Sequence, residues 1–139
     1  MTAMGIDTSG ELAIKTERDI VAARRAVRDA AYQLGFNETD VTRIVTAASE
    51  LARNIHKYAG EGVMRWHSIQ ANNRAGIELQ FVDQGPGIPD VNLAFQDGYS
   101  TSKGMGMGLP GARRLMDDLQ IESVVGEGTS VTLKKWLRG

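Results

Sequence analysis

A chain of 139 residues, 42% hydrophobic and 24% charged, has the size and composition of one globular domain with its own core, which excludes disordered, collagen-like and disulfide-scaffold classes. Its 16 basic and 17 acidic residues leave a net charge of −1, so no broad electrostatic footprint for nucleic acid or an anionic membrane exists and partners must be recognised locally. Cysteine is absent, which removes disulfides, thiolate metal sites and a cysteine nucleophile. With no signal-peptide pattern and no apolar run near the ~20 residues that span a bilayer, the expected location is cytoplasmic.

In chain order, residues 1–10 read as a loose leader ahead of a single domain over 11–139. Leu12 and Ile14 alternate with Glu11, Ala13 and Lys15 as a short strand ending at Thr16. Thr16 and Asp19 resemble a capping pair for a helix whose apolar residues Ile20, Ala23, Val27, Ala30, Ala31 and Leu34 recur at helical spacing until Gly35 stops it. A second helix starts near Asn37 or Thr39, carries Val41, Ile44, Val45, Ala48, Leu51, Ala52 and Ile55 on one face, and closes at Gly60. Strands follow over 63–70 and 77–83, joined by a loop through Asn72, Asn73 and Gly76.

The stretch over 84–108 is rich in glycine and contains Pro86 and Pro89, too loop-like for a continuous element and long enough to suggest a lid or clamp. Pro110 suits the first turn of a helix through Leu109, Ala112, Leu115 and Met116 that stops near Leu119. Segments 121–125 and 129–136 flank Gly126-Glu127-Gly128 as a hairpin. The order of elements implies an α+β sandwich.

Three features carry chemistry. On the second helix Glu50, Asn54 and Lys57 group opposite the apolar stripe, which for an arbitrary helix means a solvated face. Asp83-Gln84-Gly85-Pro86-Gly87 ends a strand, placing an acidic side chain beside glycines that let backbone approach a ligand closely, although a tight turn has the same composition. Gly104-Met105-Gly106-Met107-Gly108-Leu109 runs into a helix, where backbone N–H groups can hold phosphate oxygens. The Walker A and dinucleotide patterns are both unmatched. Met105 and Met107 read as flexible apolar filler.

In this fixed order the three boxes, with Gly128-Thr129, resemble the GHKL superfamily of ATPases and kinases, which includes gyrase, histidine kinases and MutL. The runs ELARNIHKYAG, DQGPGIPD, DGYSTSKGMGMGLPGARRLMDD and GEGTSVTLKKWLR are similar to the small stress-signalling members of the anti-sigma factor kinase family. The resemblance implies a Bergerat fold: a two-layer α/β sandwich with a mixed, mostly antiparallel sheet covered by helices on one face. It also implies ATP and Mg²⁺ as cofactors, with Asn54 as metal ligand, Glu50 as general base, and Asp83 accepting from the adenine amino group with help from Thr129. Gly85, Gly87, Gly104, Gly106 and Gly108 would line the nucleotide, and the lid over 97–108 would close over the phosphates.

The implied activity is protein serine/threonine phosphorylation, with STAS-domain scaffold and antagonist proteins as substrates and a phosphatase activated by docking. The alternative is an anti-sigma factor that binds and inhibits a sigma factor. Lys57 stays outside the core site, as a solvated lysine. His56 and His67 lack the context of a phosphoacceptor and have no partners at metal-ligand spacing. Ser100, Thr101 and Ser102 read as small loop residues, Trp66 and Trp136 as core anchors, and Arg24, Arg25 and Arg28 as a solvated basic face.

Overall fold

The computed structural model describes residues 8–89 and 108–138. Their order is β1 (Ser9–Ile14), α1 (Glu17–Leu34), α2 (Glu38–Asn54), one π-helical turn (Ile55–Ala59), β2 (Gly62–Ala71), β3 (Arg74–Asp83), α3 (Leu109–Leu115), β4 (Asp118–Val124) and β5 (Gly128–Trp136). Strand β1 thus begins at Ser9, inside the stretch read as a leader.

Both long helices start on local chemistry. Thr16 Oγ1 accepts from the Asp19 N–H at 3.4 Å, while Asp19 Oδ2 accepts from the backbone N–H groups of Thr16 and Lys15 at 3.0 and 2.9 Å. The reciprocal bonds satisfy N–H groups that no helical carbonyl can reach. Helix α1 ends at Gly35, in the left-handed region at φ 99°. For α2 the cap is Asn37, whose Oδ1 accepts from the Asp40 N–H at 2.8 Å. The apolar stripe expected on each helix is the face that is buried.

The sheet order is β1-β2-β3-β5-β4, and every pairing among the described residues is antiparallel. The β2–β3 loop is shorter than expected: only Asn72 and Asn73 lie outside the ladder, at φ 54° and 65°, the backbone of a two-residue hairpin turn that asparagine tolerates. Gly76 instead sits within β3, where a Cβ would fall 2.5 Å from the Lys135 carbonyl oxygen. Alternation sends Met64, Leu79, Phe81, Val131 and Leu133 into the core against α1 and α2, and leaves Glu11, Arg65, Gln80 and Thr132 on the opposite, polar face.

Helix α3 is shorter than its pattern, ending at Leu115 rather than near Leu119. Met116 is already extended, the Asp117 N–H donates to the Lys134 carbonyl at 2.9 Å, and Asp117 Oδ2 accepts from the Trp136 N–H at 2.8 Å. Leu119 therefore pairs with Leu133 as a β4 residue. The buried Lys135 closes this corner: its Nζ donates to the Leu115 carbonyl at 2.8 Å and lies 3.9 and 3.8 Å from Asp40 Oδ1 and Asp117 Oδ1. Trp66 packs against the core, and Trp136 lies under the Arg74 guanidinium at 5.0 Å. No helix among the described residues is long and apolar enough to cross a membrane.

Candidate active site

A cleft of about 480 Å³, counting its open mouth, separates the end of α2 from the end of β3 and the start of β5. Leu51, Ile55, Phe81, Ile88, Leu109 and Val131 make its walls apolar, and Asn54, Asp83 and Thr129 supply the polar groups, the usual makeup of a small-molecule site.

Asp83 is the last residue of β3 and stands opposite Thr129 of β5. Its Oδ1 accepts from the Gly85 N–H at 2.9 Å, and among the described residues Oδ2 has no protein partner. The carboxylate is thereby aimed by its own loop while one oxygen stays available to a donor in the cleft. Gly85 makes this loop possible: a Cβ there would fall 2.6 Å from Ala59 Cβ, so only glycine lets the loop lie against the π-helical turn.

Ser123, which was not identified from the sequence, holds the same corner together. Its hydroxyl accepts from the Ile88 N–H at 2.7 Å and lies 2.9 Å from Thr129 Oγ1, where either hydroxyl can donate, and 3.3 Å from the Gly128 carbonyl oxygen. One side chain thus joins the Asp83 loop to β5. A lone serine in an alternating strand carries no signal of this in one dimension.

On the opposite wall α2 gives way after Asn54 to the π-helical turn, a wider coil that is frequent at functional sites. Asn54, Tyr58 and Ala59 line the cleft from this side. Tyr58 was also missed, because it continues the core stripe of Leu51 and Ile55. Its hydroxyl is buried and has no hydrogen-bond partner among the described residues, a cost that a bound ligand can relieve.

Glu50, one turn before Asn54, is not part of the cleft wall; it stands at the rim, where Gly108 opens α3. At φ 88°, and with a Cβ position 2.8 Å from Glu50 Cβ, Gly108 has room for no side chain. Glu50 Oε2 accepts from Arg53 Nη1 at 2.7 Å. The structure therefore brings Asn54, Asp83, Gly87 and Thr129 into one cleft, with Gly85 behind it and Glu50 and Gly108 at its edge. Gly104 and Gly106, Met105 and Met107, Ser100 to Ser102 and the expected lid ahead of Gly108 lie outside the described residues. Lys57 is exposed, 5.3 Å from the centre of the Tyr58 ring, and lines a groove between α1 and α2 instead of the cleft.

The described residues contain no cluster of three histidine or carboxylate groups able to hold a metal. A single amide oxygen at Asn54 suits a cation whose other ligands are phosphate oxygens and water, as is usual for Mg²⁺. His67 pairs with Glu78 at 2.8 Å on the outer sheet face.

Residues 14–135 match the family model of the histidine kinase-like ATPase domain. The chain is 51% identical over 125 residues, 90% of its length and 94% of the relative's, to the serine/threonine-protein kinase RsbT of Bacillus subtilis. It is 34% identical over 121 residues to the anti-sigma F factor of Caldanaerobacter subterraneus, covering 83% of both chains. Among solved structures, the RsbU and RsbW domains of Rv1364c from Mycobacterium tuberculosis superpose with a TM-score of 0.60 at 22% identity. That match covers 91% of this chain and about a third (32%) of the other, and it shows a shared fold. The glycine-flanked aspartate, the asparagine-bearing helix and the sandwich around them agree with these matches: the chain belongs to the histidine kinase-like ATPase domain family.

Proposed function

We propose that the protein is a serine/threonine protein kinase of a stress-signalling switch, transferring the γ-phosphate of ATP to STAS-domain proteins of the RsbS or RsbR type and activating an RsbU-like phosphatase by docking to it. The observation that carries this reading is the likeness to RsbT over nine-tenths of the chain, joined to a cleft in which Asp83, Asn54 and Thr129 converge.

In this reading Asp83 Oδ2 accepts from the adenine amino group; guanine presents a carbonyl there and would face the carboxylate unpaired, which rejects it. The apolar walls hold the purine, and Thr129, braced by Ser123, supports Asp83 through water. Asn54 would hold Mg²⁺ through its amide oxygen, and the cation would supply neutralisation of charge on the phosphates. Glu50, at the open rim, accepts the proton of an incoming serine or threonine hydroxyl.

The test is to incubate the purified protein with γ-labelled ATP and a STAS-domain protein and to map the label. Transfer to serine or threonine supports the reading. The anti-sigma F relatives motivate one competitor: ATP binding without transfer, together with tight capture of a sigma factor, would make the protein an anti-sigma factor and take from Glu50 its assigned role.

A further inference from the structure

We propose that Arg53 is a positioning residue for phosphoryl transfer, acting through Glu50; this rests on the reading of Glu50 as the general base. Among the described residues Arg53 is the sole polar partner of the Glu50 carboxylate, with Nη1 donating to Oε2 at 2.7 Å. On its other side Glu50 faces Gly108, where a Cβ would lie 2.8 Å from Glu50 Cβ and 3.2 Å from Oε1. The carboxylate is held between a guanidinium on its own helix and the start of α3. Its two oxygens are consequently inequivalent: Oε2 is occupied, and Oε1 points to the α3 side, where the glycine box ends.

An ion pair of this kind at spacing i,i+3, with side chains 48% and 32% exposed, adds little to helix stability. Its consequence is orientational. Glu50 has three side-chain torsions, and without Arg53 nothing polar on the described surface keeps the carboxylate from turning into solvent. In the step itself Oε1 takes the hydroxyl proton as the acceptor oxygen bonds to the γ-phosphorus. The bond from that phosphorus to the β–γ bridging oxygen breaks, and ADP leaves with the electron pair. Oε2 keeps its hydrogen bond to Arg53 throughout, so the base does not reorient as it is protonated.

The experiment is a double-mutant cycle in the full chain, with a STAS-domain protein as acceptor and γ-labelled ATP. Arg53→Ala is expected to lower kcat about 10- to 100-fold, with KM for ATP and for the acceptor changed by no more than about twofold. Arg53→Lys, which retains a donor, should recover part of the loss, and thermal melting should show both variants folded. In a Glu50→Gln background Arg53→Ala should have no further effect, because the group it positions is gone. Wild-type kcat in Arg53→Ala, losses that multiply in the double variant, or a defect confined to KM for the acceptor would each overturn the proposal. The two readings fail differently. A slow Glu50→Gln beside a normal Arg53→Ala removes only the role of Arg53, whereas a Glu50→Gln enzyme at wild-type rate removes the base and its positioner together.

Discussion

Asp83 closes its own loop through Oδ1 and the Gly85 N–H, and in the proposed reading Oδ2 accepts from the adenine amino group. Asparagine at this position keeps the first acceptor, but its amide cannot make a charged hydrogen bond to the adenine amino group. Asp83→Asn should therefore weaken ATP binding by ~1.5–3 kcal/mol and erase much of the preference over GTP. Calorimetric titration with both nucleotides checks this, and equal affinity of the wild-type protein for GTP would sink the adenine assignment. Glu50→Gln should do the opposite, leaving ATP affinity nearly intact while phosphorylation slows by ~10²–10⁴-fold, the typical worth of a general base. Single-turnover transfer beside equilibrium binding separates the two effects. Both residues were nominated by the family boxes, and the structure sets Asp83 in the cleft and Glu50 beside Gly108; Ser123 and Tyr58 carried no such signal, since each is defined by what the fold places beside it.

At the scale of elements, the start of α1 is a local device with a pH signature. The backbone N–H of Lys15, with further help from Thr16, holds the Asp19 carboxyl below its ordinary value of 3.8. A carboxyl whose folded value is depressed stabilises the native state above its unfolded value, and that contribution is lost as the pH falls through the folded one. Asp19→Asn should thus lower stability at neutral pH and flatten its decline below about pH 4; denaturant titrations of both proteins at several acidic pH values check this, and parallel curves would show that the cap is idle. Such caps were readable because they span four residues. The end of α3 was not, because an extended Met116 and the bonds of Asp117 to β5 override a helical pattern that runs on in the sequence. The π-helical turn likewise interrupts a stripe whose periodicity predicts plain α-helix to Gly60.

For the whole molecule, the corner around Lys135 ties the layers together. Its buried ammonium joins the last residue of α3, the first turn of α2 through Asp40, and Asp117 just ahead of β4. Removing one partner from a buried charge group leaves the others uncompensated, at a cost of ~3–5 kcal/mol. Lys135→Met should fall at or below the lower figure, because Asp40 keeps Arg43 at 2.9 Å and Asp117, 24% exposed, keeps Arg138 at 3.2 Å. Chemical denaturation measures this, and a loss under ~1 kcal/mol would mean that the corner behaves as a surface pair. Saturating Mg-ATP should raise the melting temperature of the wild-type protein, since a ligand at 100 times its Kd adds ~2.7 kcal/mol; Asp83→Asn should gain less at the same concentration.

The residues alone determined the elements whose causes are local: the capped start of α1, the buried stripes of both long helices, the alternating strands, and the motif order that pointed to the superfamily and its nucleotide chemistry. Tertiary structure decided what depends on neighbours remote in the chain. It set β3 between β2 and β5, shortened the β2–β3 loop to two asparagines, and turned Leu119 from helix to strand. It also made Lys135 a buried tie and Ser123 a brace, and it set Glu50 against Gly108 at the start of α3. The physical reason is common to all of these. Periodicity and capping report a residue's relation to its own helix or strand, whereas burial of a charge or a choice of hydrogen-bond partner is settled only once distant segments share the same space.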